Sequence, residues 1–407
     1  MDPFNVAVAA LGALVLGLGL VSARLARSAA PPTLLALVVG VALGPAGLGL
    51  LDPLGEDHHL WFERATRLVL AVGLVSVALR LPRAYVRGRW RTAAVLVGLG
   101  MPLMWGVSTI VVHLALGLDW TRAALVGAIV TPTDPVAATP IVTGAVAERH
   151  LPERLRHTIS LESGANDGLG YLLVLLPLLL LTRPAGAALE HWLLHTVLWE
   201  VGAATALGLG VGWAAGRALQ TAEARGLIED DWRLVYTVAV SLLAIGVGRL
   251  IHSDELLVAF AAGAAFVQVV GDEEREGEEH GQEAVNRFFA VPFFALLGTA
   301  LPWAGWAAFG WGGVAMAAGV LLLRRPPVVL LLTPWLTDVR GWREALVAGW
   351  FGPVAVAATY YAALAAHRLG ETVVWDAVTL VVAASVVVHG VTAVPLTRRV
   401  PEGPGAV

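Results

Sequence analysis

The sequence predicts an all-α integral membrane protein, and three observations predict it. Of its 407 residues, 57% are hydrophobic and only 14% charged, where an ordinary soluble domain carries about a quarter charged residues. Nearly apolar runs such as 31–51, 92–118, 203–218 and 373–394 approach or exceed the roughly 20 residues that a spanning helix needs. Ionisable residues nevertheless persist inside some runs, which a bilayer tolerates only when they are paired or have a purpose. The blocks of about ten alternating residues that a membrane β-barrel requires are absent.

Apolar runs set against charged breaks give about thirteen spans. Their cores lie at 4–23, 31–51, 62–80, 92–117, 121–145, 154–182, 192–218, 232–251, 255–270, 286–302, 306–323, 344–366 and 372–396. Met1-Asp2-Pro3 offers no basic segment ahead of the first run, which therefore reads as an uncleaved span. The third span starts with Glu63, Arg64 and Arg67 in its first turns, and 326–336 is apolar but short and flanked by Pro. Asp254 is expected to cap the ninth span, with Glu255 in its first turn suiting the helix dipole. Arg is concentrated after the odd-numbered spans: Arg24 and Arg27; Arg83, Arg87, Arg89 and Arg91; Arg149, Arg154 and Arg156; Arg217 and Arg225; Arg275; Arg324, Arg325, Arg340 and Arg343; Arg398 and Arg399. Those loops are then cytoplasmic. The intervening loops are poorer in Arg and include the acidic 52–57, so the N-terminus is outside and the C-terminus inside. Residues 1–400 form one transmembrane domain, with 401–407 a short cytoplasmic tail.

Two spans are interrupted. In the fifth, Thr131-Pro132-Thr133-Asp134-Pro135 puts two prolines and an acid in mid-span; each proline removes a backbone donor and clashes with the preceding turn. A helix broken at membrane depth persists where protein or a water-lined cavity satisfies the freed groups, and it aims half-helix ends at a bound ion. The second break is Gly349-Trp350-Phe351-Gly352-Pro353, in the twelfth span. Breaks in corresponding places of the two halves point to an inverted-repeat transporter.

Between them, the sixth span carries Leu161-Glu162-Ser163-Gly164-Ala165-Asn166-Asp167-Gly168. An acid at span centre costs at least ~2.5 kcal/mol, so two in one span demand partners or a purpose. Helical spacing brings Ser163, Asn166 and Asp167 close to one face. Hard oxygen ligands without a thiolate or a His cluster suit Na+ or a similar cation; Glu162 fits a structural ion pair equally well. Cysteine is absent, removing disulfides and thiol chemistry, and with no lysine the Gly-x-x-x-x-Gly-Lys nucleotide loop cannot be built. Weaker signals are His389, a packing residue or a proton relay; the acidic run Asp272 to His280, a solvated cytoplasmic loop or a pH sensor; and Trp303, Trp306 and Trp311, interface anchors.

On these residues the sequence resembles the monovalent cation:proton antiporter superfamily, in particular bacterial Na+/H+ antiporters and fungal plasma-membrane Na+/H+ antiporters. The resemblance covers nearly the whole chain. It rests on Thr133-Asp134-Pro135-Val136, Glu162 to Gly168, Ser253-Asp254-Glu255-Leu256-Leu257, Trp342-Arg343-Glu344-Ala345-Leu346, Gly349 to Pro353 and Val388-His389-Gly390, with Leu81-Pro82-Arg83-Ala84-Tyr85 adding a fungal flavour. It implies that Asp167 binds cation or proton, that Asn166 is its structural neighbour, and that Thr133, Asp134 and Ser163 complete the ion site. It also implies two broken helices that cross, a core bundle including about 92–182 and 306–396, dimerisation helices including about 4–80 and 232–302, and a homodimer in the plasma membrane. An Asn-Asp pair, where other members have Asp-Asp, is associated with electroneutral one-for-one exchange.

Two departures stand against the family pattern. Many relatives place an Arg shortly after the Gly-Trp motif, paired with the acid that matches Glu162; Pro353-Val354-Ala355-Val356 supplies none, so Glu162 is expected to pair elsewhere or to be protonated. Many bacterial relatives also carry a Glu in the third span, where Ala71-Val72-Gly73-Leu74 has no carboxylate. The long cytoplasmic tail of fungal members is missing as well.

The expected function is secondary exchange of a monovalent cation, Na+ or Li+, for H+, with membrane lipid around the protein, no nucleic-acid partner, no cofactor and no enzymatic activity. A carboxylate held away from water resists its charge until a proton or cation neutralises it, so the two compete for Asp167. K+/H+ exchange on the same scaffold is the alternative. An intramembrane aspartyl hydrolase using Asp134 and Asp167 is the rival from another class.

Overall fold

The computed structural model describes residues 3–25, 28, 30–51, 58–81, 90–143, 145–229, 232–270 and 272–400. No strand occurs among them. Helices run in order as α1 (Pro3–Leu20), α2 (Pro32–Leu43), α3 (His58–Leu79), α4 (Trp90–Leu116), α5 (Trp120–Ile129), α6 (Pro135–Val142), α7 (Ala145–His150), α8 (Glu153–Thr182) and α9 (Ala185–Ala224). They continue as α10 (Trp232–Leu250), α11 (Glu255–Val269), α12 (Asp272–Thr299), α13 (Trp303–Leu323), α14 (Pro326–Leu332), α15 (Gly341–Trp350), α16 (Val356–Leu369) and α17 (Val373–Thr397). Among the described residues six helical segments are long and apolar enough to cross a membrane: α4, α8, α9, α10, the stretch Trp303–Trp335 and α17. Large apolar side chains face outward as well as inward, Leu114 and Trp311 among them, which suits a protein whose surrounding solvent is hydrocarbon.

Both expected breaks are present. The chain is non-helical at 131–134, between α5 and α6, and at 351–355, between α15 and α16. Asp254 caps α11 as expected, its Oδ1 accepting from the N–H groups of Leu256 at 3.0 Å and Leu257 at 3.2 Å. At one connector Arg122 donates to Glu371 at 2.9 and 2.5 Å, which holds that carboxyl below the usual glutamate range.

Three sequence expectations need correction. Arg324 and Arg325, assigned to a cytoplasmic loop, are each 2% exposed at the junction of α13 and α14; two charges between two apolar runs look like a loop when only the runs are read. The acidic run 272–280 is the start of α12 and not a loop. Trp306 is no simple anchor, since its Nε1 donates to Asp376 O at 3.0 Å. The 52–57 loop, Arg27, the stretch 82–85, Arg87, Arg89 and the 401–407 tail lie outside the described residues.

Candidate functional site

The site is built where the two breaks meet. Asp134 and Pro135 begin α6 as an N-cap and a first-turn proline, the positions at which each is favoured. The Asp134 N–H donates to Pro353 O at 2.8 Å, joining one break to the other. Asp134 Oδ1 accepts from Val136 N at 2.8 Å and Ala137 N at 2.9 Å. Its Oδ2 accepts from Val356 N and, at 3.2 Å, from Ala357 N, in the first turn of α16. One carboxylate thus caps two half-helices, each with the positive end of its dipole turned toward it.

The opposite polarity is met by Arg324. Its Nη1 donates to the carbonyls of Val130, Thr131 (2.9 Å) and Pro132 (3.2 Å), and its Nη2 to that of Gly352. These carbonyls belong to the two breaks, at and just past the ends of α5 and α15. An acid on the amide side and a guanidinium on the carbonyl side hold the crossing together.

Arg325 forms the next layer. Its fork donates to Glu162 at 2.7 and 2.8 Å, and its Nε to Ala348 O at 3.1 Å. Glu162 is 0% and Arg325 3% exposed at the side chain. The partner that the Gly-Trp segment does not supply therefore comes from the α13–α14 junction.

Thr133 gathers the remaining residues. Its N–H donates to Asn166 Oδ1 at 3.1 Å, while Asn166 Nδ2 donates to Thr133 Oγ1 at 2.8 Å and to Glu162 Oε1 at 2.9 Å. Ser163 Oγ lies 3.2 Å from Thr133 Oγ1. Close packing of α8 on the break needs glycine at 170, where a Cβ would sit 2.6 Å from Pro132 Cγ. Thr133, Asp134, Glu162, Ser163 and Asn166 are brought together.

Asp167 differs from all of them. It is 0% exposed, and neither carboxylate oxygen has a hydrogen-bond partner; Tyr361 Oη donates at 2.8 Å to its backbone carbonyl only. The acids within electrostatic reach are Asp134 and Glu162. Sequence reasoning missed Arg324, Arg325 and Tyr361. In the sequence the two arginines read as a loop between apolar runs; only the fold shows them inside one 33-residue apolar segment.

On one side of the crossing lies a cavity of about 740 Å³, between α6 and α17 on one wall and α2 and α12 on the other, with Arg149, Arg287 and Arg398 among the residues around it. Elsewhere α16 is tied to the helices opposite: Tyr360 Oη donates to Glu255 Oε1 at 3.1 Å, and Arg67 Nε lies 2.6 Å from that oxygen. His389 Nδ1 lies 3.1 Å from both Ser385 Oγ and Ser385 O, and Ser385 Oγ accepts from Val354 N in the second break at 2.8 Å.

Fold and site define a multi-pass helical membrane protein of the transporter class, with two broken helices that meet. Residues 10–399 match the family model described as sodium/hydrogen exchanger, transmembrane, and the chain belongs to that family. It is 32% identical over 347 residues to Na+/H+ antiporter 2 of Zygosaccharomyces rouxii, covering 83% of this chain and 43% of the relative. It is 30% identical over 345 residues to the Na+/H+ antiporter of Saccharomyces cerevisiae, covering 82% and 35% respectively. The chain thus spans less than half the length of either yeast relative. The sodium proton antiporter of Methanocaldococcus jannaschii has the same fold, with a TM-score of 0.75 at 19% identity, covering 98% of this chain and 99% of that one.

Proposed function

We propose that the chain exchanges a monovalent cation, Na+ or Li+, for H+ across the plasma membrane, with Asp167 binding cation and proton in turn. The observation that carries this reading is the Asp167 carboxylate, fully buried in a membrane-crossing helix and without a partner for either oxygen. A bare charge there is costly until something neutralises it.

A count of charges supports one-for-one exchange. Glu162 is paired with Arg325, and the buried Asp134 is matched in the charge count by the buried Arg324, each bound to backbone groups of the crossing. Asp167 leaves one negative charge over, which a single proton or a single monovalent cation cancels. If the core turns readily only when Asp167 is neutral, each passage carries one or the other. Each pH unit across the membrane then moves the cation with about 1.4 kcal/mol. Thr133 and Ser163, whose hydroxyls lie 3.2 Å apart, are assigned as the neutral oxygens of the ion site, with Asn166 and Glu162 supporting them. Asp134 is in the ion set through its charge, since its oxygens already accept from four N–H groups. That commitment also counts against a water-activating pair with Asp167, and so against the hydrolase reading.

The cavity on the arginine-bearing side and the Tyr360–Glu255–Arg67 tie support a state facing the cytoplasm. In it the core, including about 92–182 and 306–396, turns against the helices including about 4–80 and 232–302. With about thirteen spans the N-terminus is outside and the C-terminus cytoplasmic. The exchanger is a homodimer in membrane lipid and uses no cofactor beyond the ions it moves.

Proteoliposome flux tests this reading. With a pH gradient imposed, Na+, Li+ or K+ is added and lumenal pH followed, with the membrane potential clamped. Cation-dependent dissipation that is lost in Asp167→Asn is expected. Exchange with none of the three cations would sink the reading, and exchange with K+ alone would favour the K+/H+ alternative.

A further inference from the structure

Third-span residues Ala71-Val72-Gly73-Leu74 lie on α3 and bring no carboxylate to the site; at Gly73 there is no side chain at all. A polar atom nonetheless reaches that place. A Cβ on Gly73 would lie 3.2 Å from Val136 Cγ2 and 3.5 Å from Asn286 Oδ1. Val136 belongs to the first turn of α6, and its N–H is one of those that Asp134 accepts, at 2.8 Å. Asn286, on α12, thus reaches the same place beside α3 as Val136 of the broken helix, and both line the cavity.

Asn286 is 3% exposed, lines the cavity, and has no hydrogen-bond partner for Oδ1. The polar groups around it are engaged with one another. Thr143 Oγ1 donates to Glu283 Oε1 at 3.3 Å, and Glu283 also pairs with Arg287. Thr139 Oγ1 donates to Pro135 O at 3.1 Å and accepts from Arg80 at 3.3 Å. Among the described residues lining the cavity, Asn286 Oδ1 is the one buried side-chain oxygen without a hydrogen-bond partner. Burying an acceptor without a donor costs free energy, and a hard cation satisfies such an oxygen as well as a donor does.

We propose that Asn286 is a cation ligand and a specificity-determining residue of the exchanger. Its Oδ1 replaces part of the hydration shell as the ion passes between the cavity and Asp167. An amide oxygen is neutral and does not titrate, so it holds a cation without competing for the proton. Discrimination between cations then follows how well one fixed oxygen repays the hydration that each ion loses. The proposal rests on the exchange reading of Asp167.

The test measures KM and kcat for Na+, Li+ and K+ in proteoliposomes holding the full chain, as the native protein, Asn286→Ala, and Asn286→Ala combined with Gly73→Asp. Asn286→Ala is expected to raise KM for the preferred cation about tenfold, with kcat falling by less, and to change the ratio of KM between Na+ and K+. Gly73→Asp, which returns an oxygen from α3 to the place that Asn286 Oδ1 reaches, is expected to lower KM again. Unchanged KM and unchanged cation ratio in Asn286→Ala would overturn the proposal while leaving native exchange, and the reading of Asp167, standing. Absence of exchange in the native protein would remove the reading beneath it. If Asn286→Ala does not fold, Asn286→Ser decides on the same two readouts: a shifted ratio supports the ligand, and an unshifted one overturns it.

Discussion

A buried acid in this site is stable only through what faces it. Glu162 and Arg325 face each other through two hydrogen bonds of 2.7 and 2.8 Å with almost no solvent, so removing one partner strands the other. Glu162→Gln is expected to cost roughly 3–5 kcal/mol of stability, read as a lower unfolding temperature in detergent, and Glu162→Leu with Arg325→Leu is expected to cost less than either change alone. A double variant no more stable than the singles would contradict the pairing. Asp167 stood out in the sequence because an acid in mid-span demands a partner or a purpose, and Thr133, Asp134, Ser163 and Asn166 stood out because prolines and polar groups marked the same level. Arg324 and Arg325 did not, since between two apolar runs a buried pair of arginines reads like a loop. That Asp167, unlike Asp134 and Glu162, lacks a partner was also beyond the sequence, because it depends on which side chains the fold engages elsewhere.

At the scale of elements, the crossing is held by close approach as much as by charge. The Pro132 ring fits against α8 only because residue 170 has no side chain, a Cβ there falling 2.6 Å from Pro132 Cγ. Gly170→Ala is therefore expected to cost about 1–3 kcal/mol through overpacking and to slow exchange by displacing Thr133. Gly186→Ala is the control, with nothing within 4 Å of its Cβ and no expected loss of stability. Equal unfolding temperatures for the two variants would contradict this account of the packing. Proline and glycine gave away the two breaks, since backbone chemistry is local. The crossing of the two was an expectation of the family resemblance, but the double cap by Asp134 was not legible, because residues 134 and 356 come together only in the folded bundle.

The whole molecule is asymmetric: a cavity of about 740 Å³ lies on one wall of the crossing, and Glu255 ties α16 to α3 and α11 elsewhere. Because the chain has no cysteine, single cysteines report access directly. Thr143→Cys, in the cavity, is expected to react with an impermeant maleimide from the cytoplasmic side, and Ser253→Cys, buried beside the Glu255 tie, to be protected from both sides. The reverse pattern would mean that the resting state faces outward. The helical class was visible in composition alone, whereas the direction of opening depends on contacts between distant helices that no local pattern encodes. The central claim is that one carboxylate serves both ions, and the dependence of the cation KM on pH tests it most directly. If proton and cation compete for Asp167, log KM rises by about one for each unit that pH falls below the pKa of the site, with no exchange left in Asp167→Asn; a KM indifferent to pH, or robust exchange in that variant, would contradict the account.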